Sequence, residues 1–212
     1  MKYNAVLFDM DGTVLDTIAD LRDAVNHTLT MYGYPACDTQ CVKDATGNGA
    51  RNLIAYCLPQ GEDTPDFEAI FQEYKSYYAA HSCIKTAPYA GIPALLEELQ
   101  KNGCKVAIVS NKPDGAVKTL AAQFFPDIPA FGEAGLPRKP ALDMVYHALE
   151  VLGAGKDSAV YIGDSEVDVA TARNAGMDLI AVSWGFRSRE CLAESGAAEI
   201  ADTVAQLREK LQ

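Results

Sequence analysis

Two aspartates near the start of the chain are the first residues whose types and spacing suggest chemistry. Asp9 and Asp11 follow the apolar run 5–8. Because side chains alternate between the two faces of a strand, residues two apart should project the same way. Carboxylates held side by side repel each other unless a cation or a shared proton compensates them. Gly12 permits a turn and Thr13 supplies a hydroxyl, although a strand running into an ordinary Asp-Gly turn would give the same pattern.

A second polar set follows the apolar run 105–109, which is typical of a buried strand. Ser110 and Asn111 are good helix caps, and Pro113 suits the first position of a helix, so capping alone would explain them. Alternatively, the Ser110 hydroxyl and neighbouring backbone N–H groups bind a phosphate at the helix N-terminus.

Lys139 directly precedes Pro140, which we predict to open a helix. A cation at that position opposes the helix dipole, and lysine is a poor N-cap, so local structure gives no reason for it. A nearby anion that needs neutralising would give one. A solvated surface lysine is the plain alternative.

Two further aspartates follow the predicted strand 159–162. Asp164 occupies the strand end, and Asp168 lies one helical turn further on, close enough to share an ion with it. Ser165 and Asp168 also resemble a capping box, in which the preferred later residue is Glu or Gln. Capping leaves Asp164 unexplained.

The elements that position these residues alternate between strand and helix from residue 85 onward. Strands separated by helices imply an α/β fold with a doubly wound parallel sheet, which the first strand of the chain also joins. The predicted strands are 5–8, 105–109, 159–162 and 179–182, and the predicted helices of this part are 92–99, 113–124, 140–152, 166–174 and 203–211.

Between the first strand and residue 82 the apolar residues recur only at helical spacing. We therefore predict an inserted domain of four helices at 16–82, and an α/β core formed by 1–15 and 83–212. An aromatic stripe in the last of these helices, which includes Tyr74 and Tyr78, is interpreted as packing between helices. The predicted helices of the insertion are 17–32, 38–45, one around 53–58 and one around 67–78.

Ligands of open parallel sheets bind at the carboxyl ends of the strands, and all of these candidate residues are predicted to lie there. Carboxylates at that density suit a hard, oxygen-seeking cation. Mg²⁺, which keeps waters and commonly bridges to phosphate, fits better than Zn²⁺. The sequence therefore predicts phosphoryl transfer in which a carboxylate nucleophile forms an aspartyl-phosphate.

The overall composition restricts the partners. The formal net charge of −11 argues against a nucleic-acid partner, because affinity for nucleic acid comes largely from clustered Lys and Arg. The first residues lead directly into a short apolar strand, and no apolar run approaches the roughly 20 residues that span a bilayer. We expect a cytoplasmic protein without a membrane partner, and the sequence predicts no particular oligomeric state.

The cysteines are scattered without a Cys-x-x-Cys pair, so neither a zinc-ligand spacing nor a thioredoxin-like motif is present. We interpret them as reduced thiols that mostly serve as small packing residues. The six are Cys37, Cys41, Cys57, Cys83, Cys104 and Cys191.

Taken in order, the polar sets resemble the four motifs of the haloacid dehalogenase superfamily, and they span nearly the whole chain. The resemblance implies a Rossmann-like core, with Asp9 as nucleophile and Mg²⁺ ligand. It implies that Asp11 acts as general acid and then base, and that its backbone carbonyl also binds the metal. The matching residues are Asp9-x-Asp11-Gly12-Thr13, Ser110-Asn111, Lys139-Pro140 and Gly163-Asp164-x-x-x-Asp168.

The same resemblance implies roles for the remaining motif residues. Asp164 would bind the metal, and Asp168 would help either directly or through another residue. The dehalogenases that named the superfamily lack an acid at the position of Asp11, which favours phosphoryl transfer over dehalogenation. The implied phosphate-binding residues are Gly12, Thr13, Ser110, Asn111 and Lys139.

The helical insertion resembles the small four-helix cap of the phosphoglycolate phosphatase subgroup. Residues 46–51, 88–91, 110–113 and 183–187 are all similar to that subgroup. The resemblance implies a small phosphorylated metabolite as substrate. We expect Gly49 and Arg51 near its carboxylate or other polar end, although an exposed arginine at the start of a helix is the plain alternative for Arg51.

The exact substrate stays open, because the stretch 131–137 is shorter than in many such phosphatases.

Two other functions also stay open at this stage. Sugar-phosphate mutases of the beta-phosphoglucomutase type resemble the chain in the same motifs and cap. A binding protein that kept the fold and lost turnover is an alternative from another class, and the intact motif residues argue against it.

Overall fold

The chain folds around a parallel β-sheet, seen in a computed structural model that describes residues 2–212. Its strands are β1 (Ala5–Phe8), β2 (Leu15–Asp16), β3 (Ala87–Pro88), β4 (Lys105–Pro113), β5 (Ala130–Glu133), β6 (Ala159–Gly163), β7 (Asp178–Val182) and β8 (Ile200–Ala201). Six of them form the main sheet in the order β5-β4-β1-β6-β7-β8. Strand β1 is therefore central, with Ala5 opposite Lys105 on one side and Ala159 on the other. The predicted core segment begins at Met1, which lies outside the described residues.

Helices cover both faces of this sheet because alternate side chains of its central strands point in opposite directions. Val6 and Phe8 pack in the hydrophobic cluster on one face, and Leu7 and Val109 pack in the cluster on the other. The doubly wound α/β prediction is confirmed. The helices are α1 (Ile18–Met31), α2 (Thr39–Ala45), α3 (Gly49–Tyr56), α4 (Phe67–His81), α5 (Ile92–Lys101), α6 (Asp114–Phe124), α7 (Asp143–Leu152), α8 (Glu166–Ala175), α9 (Arg189–Glu194) and α10 (Val204–Leu211).

Helices α1 to α4 form a buried cluster of their own, in which Val25, Leu53 and Ile70 take part. The chain enters and leaves this helical segment through β2 and β3, which pair as an antiparallel ribbon. The helical character predicted for this part of the chain is thus confirmed, apart from Asp16, which belongs to β2. The division into domains at 15/16 and 82/83 stays a prediction.

A buried carboxylate fixes the first helix to the returning ribbon. Asp20 in α1 accepts hydrogen bonds from the backbone N–H groups of Lys85 and Thr86 and from the Thr86 hydroxyl, at distances of 2.8–3.0 Å. Asp20 is only 3% exposed, so its charge depends on these donors. The start of the helical segment is therefore held against the chain that leaves the segment.

Several elements differ from the sequence predictions. Strand β5 forms at the edge of the sheet, between the predicted helices 113–124 and 140–152, where no strand was predicted. Strand β8 and helix α9 are too short for periodicity to reveal. Strand β4 continues through the polar residues to Pro113, because that end pairs with β5. Helix α7 begins at Asp143 rather than at Pro140.

Among residues 2–212, none of the helices has the length and apolar character needed to cross a membrane.

Candidate active site

The carboxyl ends of β1, β4 and β6 meet at one edge of the sheet, and most of the predicted chemistry lies there. Asp9 follows β1, Asp164 follows β6, and Asp168 stands in the first turn of α8. One carboxylate oxygen from each of these aspartates lies within 4.8 Å of the others. The fold therefore gathers three buried acids in a space small enough for a single cation.

Asp9 has a buried oxygen to which none of the described residues donates a hydrogen bond. Its Oδ1 lies 2.9 Å from Lys139 Nζ, but the contact is not aligned as a hydrogen bond. Burial raises the pKa of Asp9 to about 7, with the charge of Asp168 adding to the rise and Lys139 opposing it. This carboxylate is therefore costly to ionise alone and is suited to a metal ion or a phosphoryl group as partner.

Lys139 is the cation of this cluster and is only 2% exposed. Its Nζ lies 2.9 Å from Asp9 Oδ1, 2.8 Å from Asp168 Oδ1 and 3.0 Å from the Tyr161 hydroxyl. Burial alone would lower the pKa of Lys139, but the carboxylates of Asp168 and Asp9 outweigh it and raise that pKa well above its usual value. The prediction that Lys139 directly precedes a helix was wrong, since α7 starts at Asp143. The anions inferred to lie near Lys139 are the carboxylates of Asp9 and Asp168.

Asp164 is held by donors on both oxygens. Oδ1 accepts a hydrogen bond from the Thr13 hydroxyl at 2.9 Å, and Oδ2 accepts one from the Phe186 backbone N–H at 2.7 Å. Burial raises the pKa of Asp164 well above its ordinary value, and the charges of Asp168 and Asp9 raise it further. The Thr13 hydroxyl, predicted to contact phosphate, is thus directed at Asp164.

Gly12 makes the approach of Asp164 possible. A Cβ atom on Gly12 would lie 2.2 Å from Asp164 Oδ2, and the φ angle of +77° is one that other residues rarely adopt. The predicted turn is therefore present, and it serves to seat a carboxylate against the backbone.

Asp168 combines the two interpretations that its sequence left open. Its Oδ2 accepts hydrogen bonds from the Ser165 hydroxyl and backbone N–H, so a capping box starts α8. Its Oδ1 accepts from Lys139 at 2.8 Å. The carboxylate thus caps the helix and orients Lys139 at the same time.

Asp11 lies apart from the group formed by Asp9, Asp164 and Asp168. Its Oδ1 accepts a hydrogen bond from the Thr17 hydroxyl and lies 3.1 Å from Lys112 Nζ. The predicted side-by-side arrangement of Asp9 and Asp11 is replaced by separate cationic partners, because β1 ends at Phe8 and the strand period does not continue to Asp11. A metal contact through the Asp11 backbone carbonyl stays a prediction.

Lys112 and Tyr78 are site residues that the sequence did not identify. Lys112 is buried and donates a hydrogen bond to the Tyr78 hydroxyl at 2.8 Å, while its Nζ also faces Asp11. Tyr78 belongs to α4, so this contact joins the helical segment to the sheet edge. The signal was present as a lysine beside the Ser-Asn pair and a tyrosine in the aromatic stripe, but helical spacing alone favours packing for the tyrosine.

Asn111 acts on the backbone around the site. Its side-chain amide donates to the carbonyl oxygens of Gly47 and Lys139, both at 2.9 Å, and its Oδ1 accepts from the Lys139 backbone N–H at 2.8 Å. Neither Asn111 nor Ser110 caps α6, because β4 extends to Pro113. Asn111 therefore fixes Lys139 and ties the loop at Gly47 to the sheet, while buried Ser110 lines the adjacent cavity.

A cavity of about 240 Å³ opens above the carboxylates, between the sheet edge and the helical segment. Its polar floor includes Asp9, Asp11 and Asp164, and apolar side chains such as Leu53 and Tyr74 form part of its wall. A pocket with a few convergent polar groups and an apolar wall is the usual form of a small-molecule site.

Of the two cap residues predicted to contact substrate, the structure brings one to this cavity. Gly49 lines it, and a Cβ there would lie 2.8 Å from Arg138 Nη1. Arg51 instead pairs with Glu62 and Glu68, each at 2.8 Å. The sequence left this outcome open because a helix-start arginine can face either the substrate or solvent.

Arg187 is the guanidinium that reaches the cavity wall. It pairs with Glu166 at 2.8 Å and donates to the carbonyl oxygens of Lys43 and Thr46 at 2.6 and 2.9 Å. These contacts join the loop after β7 to the loop between α2 and α3. Arg187 lay within a stretch similar to the phosphatase subgroup, but no role had been predicted for it.

Comparison with known proteins identifies the family of this arrangement. A model of haloacid dehalogenase-like hydrolases matches residues 6–182. The chain belongs to this family.

Relatives of the chain include phosphatases. A phosphoglycolate phosphatase of Rhodospirillum rubrum is 34% identical over 96% of this chain and 88% of its own length. An N-acetylmuramic acid 6-phosphate phosphatase of Pseudomonas aeruginosa is 32% identical over 88% of this chain and 84% of its own. A crystal structure of a candidate phosphoglycolate phosphatase from Lactobacillus delbrueckii superposes with a TM-score of 0.94 and 40% identity, covering 100% and 99% of the two chains.

These similarities confirm the predicted superfamily and the predicted enzyme class. This haloacid dehalogenase-like hydrolase is a phosphatase that acts on phosphoric monoesters.

Proposed function

We propose that this hydrolase removes phosphate from a small anionic phosphomonoester of the 2-phosphoglycolate type through a phosphoryl group carried on Asp9. The observation that supports this most directly is the Asp9 carboxylate, which lies at the floor of the cavity beside the Lys139 ammonium and accepts no hydrogen bond from the described residues at its buried Oδ1. A carboxylate that lines a cavity and is not held by hydrogen-bond donors is a suitable nucleophile.

The three carboxylates fit a magnesium ion. The buried Asp9 Oδ1 accepts no hydrogen bond from the described residues, and burial and mutual repulsion raise the pKa values of Asp9 and Asp164. A bound cation would therefore lower the free-energy cost of ionising these carboxylates. Asp9, Asp164 and the backbone carbonyl of Asp11 would hold it, and Asp168 would act through Lys139. The ion would supply charge to the phosphoryl oxygens of the transition state.

The protein groups divide the reaction between them. Asp9 attacks phosphorus, while Lys139 balances the charge that gathers on the phosphoryl oxygens. Asp11 protonates the leaving alcohol and then takes a proton from the water that releases phosphate from Asp9. Asp168 and Asn111 keep Lys139 in place through its side chain and its backbone.

We further propose that helices α1 to α4 act as a cap that closes the site. Two contacts support this role: the Asn111 amide bonds to Gly47, and Arg187 bonds to Thr46. The cap would exclude water during phosphoryl transfer to Asp9. The domain limits at 15/16 and 82/83 and the cytoplasmic location belong to this proposal.

The substrate class is tested by a phosphate-release screen. Purified protein with Mg²⁺ is given 2-phosphoglycolate, sugar phosphates, nucleotides, pyrophosphate and p-nitrophenyl phosphate. We expect the highest kcat/KM with 2-phosphoglycolate, as the similarity to the Rhodospirillum rubrum enzyme suggests. A preference for bulky sugar phosphates would favour the specificity named for the Pseudomonas aeruginosa relative. Conversion of a hexose 1-phosphate to its 6-phosphate without phosphate release would contradict hydrolysis.

Magnesium is expected to stabilise the folded protein. At a concentration about 100 times its dissociation constant it adds about 2.7 kcal/mol, which corresponds to roughly 5–10 °C in Tm for a chain of this size. Because the pKa of Asp9 is raised to about 7, protons compete with the metal below that pH, and the gain should be smaller at pH 5.5 than at pH 8. Thermal melts with and without MgCl₂ measure the gain.

The control for this measurement is a pair of aspartate variants. Asp164→Asn removes a proposed ligand and should lose most of the gain, whereas Asp157→Asn, whose side chain is 89% exposed, should keep it. An equal gain in both variants would remove Asp164 from the metal site.

Lys112 contacts Asp11 directly, and Tyr78 contacts Lys112, so we expect both residues to hold Asp11 in position for proton transfer. With Lys112→Met, kcat/KM for an alkyl phosphate should fall by about a hundredfold, in the range typical of lost acid catalysis. The value for p-nitrophenyl phosphate should change much less, because p-nitrophenolate leaves without a proton. Tyr78→Phe removes the hydroxyl that Lys112 contacts. It should also lower kcat/KM for the alkyl phosphate more than for p-nitrophenyl phosphate, but by a smaller factor.

Comparing the two substrates separates an effect of Lys112 on Asp11 from a general structural role. Tyr77→Phe, in the same helix but stacked on His27 and His81, is the matched control and should leave both substrates unchanged. Equal losses with the two substrates in Lys112→Met would contradict the role.

A further inference from the structure

Three cysteines far from the carboxylates converge in the helical segment. The Sγ atoms of Cys37, Cys41 and Cys57 lie within 4.8 Å of one another. Cys37 precedes α2, Cys41 lies in the first turn of that helix, and Cys57 directly follows α3. The sequence interpretation treated the cysteines as scattered packing residues, because no close spacing links Cys57 to the other two.

The backbone around two of these thiols is fixed without using the sulfur atoms. The Asn26 side chain donates to the Cys37 carbonyl at 2.9 Å and accepts from the Cys37 N–H at 2.8 Å. Asp38 caps α2 by accepting from the Cys41 N–H at 2.8 Å. The thiols are therefore positioned by polar contacts that leave their sulfur atoms available.

The spacing of the sulfur atoms matches a soft-metal site. With Zn–S bonds of about 2.3 Å, the sulfurs of a tetrahedral site lie roughly 3.8 Å apart, so small rotations of these side chains would suffice. All three cysteines are half-buried, which leaves a fourth position open to water. Thiolate ligands select soft cations over Mg²⁺, so this cluster and the aspartates would not compete for one ion.

We propose that Cys37, Cys41 and Cys57 bind one soft d¹⁰ cation such as Zn²⁺ per chain. Each thiol that coordinates the ion releases its proton to solvent, and no oxidation or reduction takes place. Burial, together with a hydrogen bond to Cys41, raises the pKa of Cys37 to about 11, and burial raises the pKa of Cys57, so these two thiols are protonated at neutral pH and binding must tighten as the pH rises.

The cluster has a structural relation to the active site. Helices α2 and α3 are joined by the loop 46–48, and Gly47 of that loop lines the catalytic cavity. The cysteines lie at the start of α2 and just after α3, at the ends opposite that loop. A bound ion would therefore brace the two helices that carry the loop.

Cadmium titration tests the site directly. Reduced protein, desalted under anaerobic conditions and held in excess MgCl₂ to occupy the carboxylates, is titrated with Cd²⁺. We expect sulfur-to-cadmium charge-transfer absorption that saturates at one Cd²⁺ per chain, accompanied by proton release. Each of Cys37→Ser, Cys41→Ser and Cys57→Ser should weaken binding at least roughly tenfold, the loss seen even for outer-shell partners of metal ligands.

The remaining cysteines supply the matched control. Cys83→Ser, Cys104→Ser and Cys191→Ser should leave the titration unchanged. Alkylation of the unaltered protein, followed by mass spectrometry of its peptides, does not depend on how the variants fold. Cd²⁺ should protect Cys37, Cys41 and Cys57 from alkylation. Absence of the charge-transfer band, or protection that does not fall on these three thiols, would overturn the proposal whatever the phosphatase assays show.

Discussion

Asp9→Asn is expected to lower kcat by at least about a thousandfold, because the variant lacks the nucleophile on which both steps of the reaction depend. The amide keeps the size of the side chain but is not nucleophilic enough to accept a phosphoryl group. Phosphate release from 2-phosphoglycolate under saturating Mg²⁺ measures the loss.

The fold should survive this change. Asp9 lies at the sheet edge, and its buried Oδ1 has no hydrogen bond that the amide would break. Circular dichroism spectra and thermal melts of the variant should therefore resemble those of the unaltered protein. Near-normal turnover in a folded Asp9→Asn variant would contradict the assignment of the nucleophile.

Lys139→Met is expected to destabilise the protein by about 3–5 kcal/mol, because it leaves buried carboxylates without their cation. The Lys139 ammonium contacts Asp9 and Asp168 at 2.9 and 2.8 Å, and its side chain is only 1% exposed. Activity should fall with it, since the same charge balances the phosphoryl oxygens. Urea unfolding in metal-free buffer measures the loss of stability.

An exposed lysine provides the control. Lys156 also pairs with an aspartate, Asp157, but both side chains are exposed to solvent, so Lys156→Met should change the free energy of unfolding far less than Lys139→Met does. Mg²⁺ should restore part of the stability of Lys139→Met, because it supplies positive charge to the same carboxylates. A loss no larger than that of Lys156→Met would show that Lys139 does not balance the cluster.

The residues at the ends of strands were predictable from the sequence. Asp9, Ser110 and Asp164 each follow an apolar run, and in a parallel sheet such runs end at the same edge. The helical segment was predictable as well, because its apolar residues keep a period near 3.6. Local pattern was sufficient where one element alone positions the side chain.

Contacts between elements were not predictable in the same way. Lys139 lies in a connection before α7, and only the folded chain shows its ammonium between Asp9 and Asp168. Asp11 was expected beside Asp9, but β1 ends at Phe8, before either aspartate. Asp11 instead forms an ion pair with Lys112. Sequence spacing carries no information about which distant residue faces a given carboxylate.

The cysteine cluster shows the same limit. Cys37 and Cys41 are four residues apart in the sequence, whereas Cys57 reaches them only because α3 packs beside α2. Motif spacing excludes a zinc finger here, yet tertiary packing still brings three sulfur atoms together.

The central claim is that Asp9 carries the phosphoryl group, and trapping that group tests it most directly. In Asp11→Asn with p-nitrophenyl phosphate, Asp9 should still be phosphorylated, since the leaving group needs no acid, while hydrolysis of the phosphoenzyme lacks its base. Acid quench after one turnover, followed by mass spectrometry of the peptides, should find close to one phosphoryl group per chain on Asp9. Release of p-nitrophenolate with no phosphoryl group on the protein, or with that group on a residue other than Asp9, would contradict the account.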